Sequence, residues 1–236
     1  MYGTLYLIPC PISDETAPWD VLPAANRAVM DSLDYFIVEN TRTARRFLSK
    51  AGAARPIDTL CFRELNEHTV AGREVEELVK PLVEGRSAGV ISEAGVPGVA
   101  DPGALVVEAC HRRGIRVVPL VGPSSIVMAV MASGLNGQSF AFNGYLPVKQ
   151  PERGRAIRHF EKRAQTERQS QIFIETPYRN LKLFEDFLKE CNGNTLLTVA
   201  ADILQPDQLI RTAQIRDWKA KTPDIHKRPA IFILGV

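Results

Sequence analysis

Polar and glycine-rich segments follow several short apolar runs in the first half of the chain. The richest spans residues 92–98, where Ser92 and Glu93 precede two glycines, with Asp101 and Gly103 soon after. Glycines let a ligand approach the backbone closely, and the hydroxyl and carboxylate can bind its polar groups. The pattern predicts a site for a small polar molecule.

Three further segments have the same character and follow other apolar runs. Pro11 lies in a proline turn after the first run, and Glu39 begins a polar turn after the second. Ser124 and Ser125 follow a Gly-Pro turn. Helix N-capping is the alternative interpretation for Ser124 and for either Asn40 or Thr41, because short polar side chains often accept hydrogen bonds from the first amides of a helix.

The spacing of apolar residues places these segments at the ends of strands. Short aliphatic runs alternate with helical patterns, which is typical of a parallel sheet covered by helices. The predicted strands are residues 5–9, 35–39, 57–62, 89–92 and 116–121. Because open α/β sheets bind ligands at the carboxyl ends of their strands, we expect the polar segments to meet at one edge.

The second half of the chain predicts another α/β domain. Its predicted elements are strands at 140–145, 171–175, 196–201, 209–215 and 230–234, with helices at 153–162 and 181–191. The strand–helix alternation of the first half ends near Leu120, so we predict domains of residues 1–120 and 121–236. Residues 216–227 are predicted to form an exposed connection.

Composition and charge exclude several classes of protein. The hydrophobic fraction is 45% and the charged fraction 24%, which leaves no excess for a membrane or disordered class. We find no apolar run of about 18 residues and no signal-peptide pattern, so we expect a cytoplasmic protein outside the membrane. The net charge of +2 is too small to attract a polyanion without a local basic patch.

Missing motifs argue against the commonest nucleotide, hydrolase and metal sites. The four cysteines are scattered and lack the spacing of metal ligands, so we expect no metal. No G-x-G-x-x-G follows the first strand, and no P-loop or H-E-x-x-H motif occurs. The site therefore belongs to a different class.

Seven motifs occur in an order that resembles a known family. They are residues 5–12, 39–42, 66–68, 92–97 with 101–103, 118–125, 144–147 and 175–179. Their order resembles the tetrapyrrole methylase superfamily, and within it the branch that methylates cytidine 2′-hydroxyls of small-subunit ribosomal RNA. The resemblance covers nearly the whole chain up to about Arg179. It implies a homodimer in which each chain binds S-adenosylmethionine in a cleft between two α/β domains.

The resemblance also implies which residues contact the cofactor. They are Pro11, Ser92, Glu93, Ala94, Gly95, Ser124, Ser125, Tyr145, Glu175, Tyr178, Ala201, Pro229 and Ala230. The last three are placed by the order of segments, because the motifs there are weak.

Methyl transfer to a ribose requires that the hydroxyl lose its proton, and four polar residues in motif positions can accept it. These candidates are Glu39, Glu67, His68 and Asp101. None is favoured over the others, and a histidine in a polar turn is often a plain loop residue. Positioning of donor and acceptor can also supply most of the acceleration without a base.

A basic segment is the predicted RNA surface. Residues 149–168 hold seven basic and three acidic side chains. The predicted RNA contacts are Arg42, Lys149, Arg153 and Arg155. A solvated helix face is the alternative interpretation, because charge-rich faces are common.

Two departures from the RNA-methylating branch keep other functions open. Asn40 stands where that branch has an aspartate, and residues 200–205 replace a charged segment. One alternative is a methyltransferase that acts on a tetrapyrrole or another small molecule. The other is a regulatory protein that binds S-adenosylmethionine without transferring its methyl group.

Overall fold

The computed structural model describes residues 1–65 and 72–236. The described residues form two compact units, unit 1 (Met1–Ser124) and unit 2 (Ser125–Val236). Strands and helices lie close to their predicted positions in both units, and the predicted α/β fold is confirmed.

The division between the units lies after Ser124, whereas the strand–helix pattern placed it at Leu120. The intervening residues pack into unit 1. Nδ2 of Asn26 donates to the carbonyl of Val121 at 2.8 Å, and Gly122 packs directly on the ring of Pro9.

Unit 1 is built on a parallel sheet. Its strands in the described residues are β1 (Thr4–Ile8), β2 (Tyr35–Val38), β3 (Cys61–Glu64), β4 (Ala88–Ile91) and β5 (Arg116–Pro119). Their order is β3-β2-β4-β1-β5, and each neighbouring pair is parallel. The carboxyl ends of all these strands therefore lie at one edge.

Helices cover both faces of this sheet. They are α1 (Pro18–Val21), α2 (Ala25–Ser32), α3 (Thr41–Lys50), α4 (Arg73–Val83) and α5 (Gly103–Arg112). Successive strand side chains point to opposite faces. Ile37 packs with the apolar side chains of α4 and α5, whereas Phe36 packs with those of α2 and α3. Each residue of β2 and β4 is buried, as expected for parallel strands covered on both faces.

The third strand begins later than the sequence indicates. Residues Ile57–Thr59 form a 3₁₀ turn, and the strand starts at Cys61. Pro56 causes the difference, because its fixed φ ends the extended pattern and its carbonyl accepts a hydrogen bond from the amide of Thr59 at 2.9 Å.

Unit 2 has a mixed sheet. Its strands are β6 (Phe140–Tyr145), β7 (Ser170–Ile174), β8 (Leu196–Ala201), β9 (Leu209–Gln214) and β10 (Ala230–Gly235). Their order is β6-β7-β10-β8-β9. The β6–β7 pair is parallel and the other pairs are antiparallel.

The helices of unit 2 pack an aromatic core against its sheet. They are α6 (Ser125–Ser133), α7 (Glu152–Glu167), α8 (Asn180–Glu190) and α9 (Ile215–Trp218). The predicted exposed connection at 216–227 thus begins inside a helix. Trp218 is buried there, and its Nε1 donates to the carbonyl of Leu197 at 2.8 Å. Among the described residues, no helix is long and apolar enough to cross a membrane.

A buried arginine connects four parts of unit 2. Arg153, in the first turn of α7, has a side chain that is 3% exposed. Its Nε donates to the carbonyl of Pro147 at 2.6 Å, and its Nη2 to that of Val148 at 2.5 Å. Its Nη1 donates to Asp186 on α8 at 3.1 Å, and its Nη2 lies 3.9 Å from Glu175. Arg153 therefore fixes the β6–α7 loop against α8 and the end of β7.

The two acidic partners of Arg153 are also buried. Each carboxylate has a second cation, which is Arg179 for Glu175 (2.6 Å) and Lys182 for Asp186 (3.2 Å). A buried carboxylate that loses a charged partner carries an uncompensated desolvation cost. Arg153 is therefore the central cation of this network.

Replacement of Arg153 should destabilise unit 2. We expect Arg153→Met to lower the free energy of unfolding by about 3 kcal/mol, because Asp186 and Glu175 stay buried with one cation fewer. The measurement is urea unfolding in a Trp19→Phe background. Trp218 is then the single tryptophan of the chain and reports on unit 2 alone.

The matched control for this variant is Arg155→Met. Arg155 is exposed and pairs with exposed Glu152 at 3.0 Å, so its loss should change stability by less than about 0.5 kcal/mol. Equal effects of the two substitutions would contradict the role given to Arg153.

Candidate functional site

The segments that follow β1, β2 and β4 meet at the carboxyl edge of the unit 1 sheet, as the sequence predicts. The amide of Cys10 donates to the carbonyl of Gly95 at 2.8 Å, which joins the turn after β1 to the loop after β4. The amide of Glu93 donates to Oε2 of Glu39 at 3.3 Å, which joins the loop after β4 to the end of β2. The edge is therefore one connected surface.

Two glycines at this edge pack closely against neighbouring turns. Gly95 has φ of +70°, and a Cβ on it would lie 3.3 Å from the carbonyl oxygen of Pro123. A Cβ on Gly122 would lie 2.3 Å from Cβ of Pro9, which no real side chain allows. The turns after β1 and β5 therefore pack directly on each other and on the loop after β4. Half-buried Pro11 borders this glycine cradle.

The loop after β4 presents both buried and exposed polar groups. Ser92 is buried, and its hydroxyl donates to the carbonyl of Ala94 at 3.3 Å. Glu93 and Ala94 are exposed. The carboxylate of Glu93 accepts a hydrogen bond from the hydroxyl of Thr43 on α3. Thr43 belongs to no motif in the sequence, although its position three residues after Asn40 marks the first turn of a helix.

Asn40 is a helix cap. Its Oδ1 accepts hydrogen bonds from the amides of Arg42 (2.9 Å) and Thr43 (3.3 Å), so the capping interpretation is confirmed. Oε1 of Glu64 accepts from the amide of Thr41 at 3.1 Å, and hydrogen bonding from Thr41 lowers the pKa of Glu64. The amino end of α3 is thus anchored at the edge of the sheet.

Asp101 holds the second glycine turn of this region. Its Oδ1 accepts from the amides of Gly98 (2.8 Å) and Gly103 (2.7 Å). Its Oδ2 is buried without a hydrogen-bond partner among the described residues. Burial raises the pKa of Asp101, and this effect outweighs the lowering by the two amides and by the hydroxyl of Ser92. Asp101, Glu39 and Ser92 line one small cavity at the end of β4.

The remaining candidates of unit 1 are placed less completely. Half-buried Ser124 lies next to Pro123 of the cradle, and Ser125 begins α6 in unit 2. Glu67 and His68 lie outside the described residues, as does Asn66 of the same motif. The described part of the chain holds no group of three or more His, Cys, Asp or Glu side chains that fits a metal ion.

In unit 2, the predicted contacts also gather at one edge of a sheet. Tyr145 is paired with Ile174 just before Glu175, and Ala230 is paired with Ala201. The ends of β6, β7 and β8 and the start of β10 therefore lie together. Tyr145, Tyr178 and Pro229 are exposed there, whereas Ala201 and Ala230 are buried and present mainly backbone.

Glu175 is enclosed within unit 2. Its side chain has no exposed surface, and Oε1 accepts from the amide of Thr176 (2.7 Å) and from Nε of Arg179 (2.9 Å). Its Oε2 is buried without a hydrogen bond to a described residue. The Glu175 carboxylate therefore shapes the turn that carries Tyr178 and does not present itself to a ligand.

The basic segment divides into buried and exposed cations. Arg153 is buried in the network described above, which removes it from an exposed RNA surface. Its position in the first turn of a basic helix gave no sign of this, because the acidic partner Asp186 lies on another helix. Lys149 and Arg155 are exposed, as predicted for RNA contacts.

Glutamates accompany most of the arginines on α7. Arg155 pairs with Glu152, Arg158 with Glu190 and Arg163 with Glu167. The helix face is therefore less cationic than its count of basic residues indicates.

Two solved structures with a similar fold are named as methyltransferases. The chain superimposes on the methyltransferase CobJ with a TM-score of 0.63 and 17% identity, over 99% of this chain and 94% of that one. It superimposes on the cobalt precorrin-4 methyltransferase CbiF with a TM-score of 0.61 and 15% identity, over 98% and 94% of the two chains. At such identities the likeness shows the fold alone.

Curated relatives match nearly the whole chain. The ribosomal RNA small subunit methyltransferase I of Xylella fastidiosa is 31% identical over 99% of this chain and 81% of its own length. The protein of the same name from Pseudomonas aeruginosa is 31% identical over 99% and 79%. The family model for tetrapyrrole (corrin/porphyrin) methylases matches residues 5–218. The match runs from β1 in unit 1 to the end of α9 in unit 2. The chain therefore belongs to the tetrapyrrole (corrin/porphyrin) methylase family.

Proposed function

We propose that this chain transfers a methyl group from S-adenosylmethionine to a ribose 2′-hydroxyl of small-subunit ribosomal RNA. The family is one of methylases, and a relative named for the small ribosomal subunit matches over 99% of this chain and 81% of its own length. The observation that carries the proposal is the glycine cradle at the carboxyl edge of unit 1, because its closely packed turns hold Ser92 and Glu93 where open α/β sheets bind their ligands.

The residues of the cradle fit this cofactor. Gly95 and Gly122 let the turns after β1, β4 and β5 pack directly on one another, which fixes the loop that presents polar groups to a ligand. Ser92 and Glu93 supply a hydroxyl and a carboxylate for its polar groups, and Tyr145 and Tyr178 supply exposed rings on unit 2. When bound, S-adenosylmethionine supplies a methyl group on a positively charged sulfur. The chain itself binds, orients and excludes water.

Asp101 is the proposed proton acceptor. Its pKa is raised, and a base acts best when its pKa approaches the working pH. Asp101 lines the same cavity as Glu39, and its Oδ2 accepts no hydrogen bond from a described residue. A hydroxyl that reached this cavity would donate its proton to Oδ2 while Oδ1 stayed bound to the two glycine amides.

For the RNA we propose contacts with Arg42, Lys149 and Arg155. All three are exposed and cationic, as backbone phosphates require. A cytoplasmic location, a homodimer and cofactor contacts from both units are parts of the same proposal.

The proposed reaction predicts label transfer into RNA. We expect radiolabelled S-adenosylmethionine and the purified chain to label small-subunit RNA from a strain that lacks the gene. After nuclease digestion, the label should be in a 2′-O-methylated nucleoside. Label that appeared only in a small-molecule fraction of the extract would favour tetrapyrrole-type methylation. Cofactor binding without product in any fraction would favour the regulatory alternative.

The cradle predicts that Gly122 is required for cofactor binding. Gly122→Ala should abolish S-adenosylmethionine binding in calorimetry, because the new Cβ forces the turns after β1 and β5 apart. Gly137→Ala is the control, since a Cβ there meets Val130 at an ordinary 3.8 Å. Circular dichroism verifies that both variants fold. Unchanged affinity in a folded Gly122→Ala protein would show that the cofactor binds elsewhere.

Asp101→Asn tests the proposed base. We expect kcat to fall about 100-fold or more, with cofactor and RNA affinities retained, and the pH dependence of kcat that reflects the base should disappear. Glu39→Gln is the comparison variant and should keep that pH dependence. Equal kcat in wild type and Asp101→Asn would show that Asp101 is not the base. Positioning of donor and acceptor would then account for the acceleration.

The raised pKa also makes a stability prediction. A carboxyl whose pKa is raised by folding contributes its full stability below the unfolded-state pKa and loses it as pH rises through the folded-state pKa. Wild-type stability should therefore fall across that interval, from the ordinary carboxyl range upward, relative to Asp101→Asn. Parallel curves of thermal midpoint against pH would contradict the raised pKa.

A further inference from the structure

Helix α3 is a strongly basic helix that the comparisons do not assign to any role. Its ten residues include four cations and no acid. Ala44, Phe47 and Leu48 are buried against the sheet. Arg42, Arg46 and Lys50 are exposed and recur every four residues, so they form one stripe along the outer face. We call these three residues the α3 stripe.

The α3 stripe starts at the candidate site. Asn40 caps the helix at the carboxyl edge of the sheet, and Thr43 in its first turn donates to Glu93. A pocket lies between α3 and the loops after β1 and β4, lined by Ser13, Thr43, Arg46 and Glu93 among others. The cations of the α3 stripe therefore extend along the helix from the edge of the unit 1 sheet, which carries the carboxylates.

Internal ion pairs account poorly for the α3 stripe. Arg46 pairs with Asp14, and Nζ of Lys50 donates to the carbonyl of Asp14. Asp14 is itself 73% exposed, and such surface pairs contribute little and exchange readily for another anion.

Arg42 has a position that its own helix disfavours. It occupies the second residue of α3, where the helix dipole repels a cation. Glu64 offsets part of this field by binding the amide of Thr41, but no ion pair joins Arg42 to a described residue. A bound anion would supply the missing compensation.

The spacing of the α3 stripe suits a nucleic-acid strand. Four residues of α-helix rise about 6 Å, which is comparable with the separation of neighbouring phosphates in an extended strand. Helix α7 differs, because its exposed arginines carry glutamate partners and its first turn contains Glu152.

We propose that the α3 stripe binds successive phosphates of single-stranded RNA and leads the acceptor nucleotide to the edge of unit 1. The phosphates lie on Arg42, Arg46 and Lys50, and the ribose hydroxyl faces the carboxylates at the end of β2 and β4. The inference rests on the proposed function, since it gives the strand path for that RNA substrate.

The experiment compares two triple variants with the same loss of charge. Arg42→Gln/Arg46→Gln/Lys50→Gln removes the α3 stripe, and Arg116→Gln/Lys189→Gln/Lys219→Gln removes three exposed cations elsewhere. Binding of a fluorescent 12-nucleotide cytidine RNA is measured over a salt series, and cofactor affinity by calorimetry. We expect the α3 variant to bind RNA at least 10-fold more weakly. The slope of log affinity against log salt should fall by about 2, since each phosphate contact contributes about 0.7.

A single substitution separates binding from stability. Arg42→Gln should weaken RNA binding while its thermal midpoint stays equal to that of wild type or rises, because an unfavourable charge leaves the start of a helix. A purely structural arginine would give the opposite change in stability. Equal RNA affinities of the two triple variants would overturn the inference.

Methylation assays distinguish this inference from the function on which it rests. If wild type methylates small-subunit RNA and both triple variants have equal KM for RNA, the proposed function stands and the inference about the α3 stripe is wrong. Loss of RNA binding in the α3 variant, with no methylation by wild type, would retain the α3 stripe as an RNA surface and remove the proposed reaction.

Discussion

The hydrogen bond from the amide of Cys10 to the carbonyl of Gly95 is the contact on which the candidate site depends. It exists because β1 and β4 are parallel neighbours whose ends leave the sheet at the same edge. Once these two backbones are joined, Gly122 completes the cradle against Pro9, and any Cβ on it would break the arrangement. Side chains such as Ser92 and Glu93 then occupy defined positions without contributing to the core.

Unit 2 positions its exposed residues by a different means. Its edge carries buried charges, with Arg153 between Asp186 and Glu175 and two loop carbonyls on the same guanidinium. A hydrophobic cluster of equal volume is often as stable as such a network, so stability alone does not explain it. Directional hydrogen bonds fix where the β6–α7 loop lies, and Lys149 is carried on that loop. The charge network is therefore best understood as a geometric constraint.

Much of this arrangement follows from the sequence because it depends on local patterns. Apolar runs with polar endings predicted β1, β2 and β4 and the residues that follow them, and Asn40 was identified as a possible cap from its type and position. Interactions between distant segments were not predictable in this way. Arg153 was assigned to RNA since its partners lie 22 and 33 residues away at Glu175 and Asp186, and no local pattern marks such a pair. Trp218 was missed for the same reason, because its partner Leu197 lies on a different element.

The two basic helices show how charge can be interpreted once contacts are known. On α7, arginines and glutamates neutralise one another, so the excess of basic residues reflects ordinary surface pairing. On α3, the exposed cations outnumber their acidic partners, and Arg42 stands where the helix dipole opposes it. A phosphate bound to Arg42 would offset the unfavourable interaction of its charge with the helix dipole. Since α3 begins at the edge that holds Glu39 and Glu93, a strand bound along the proposed α3 stripe would bring its ribose to that edge.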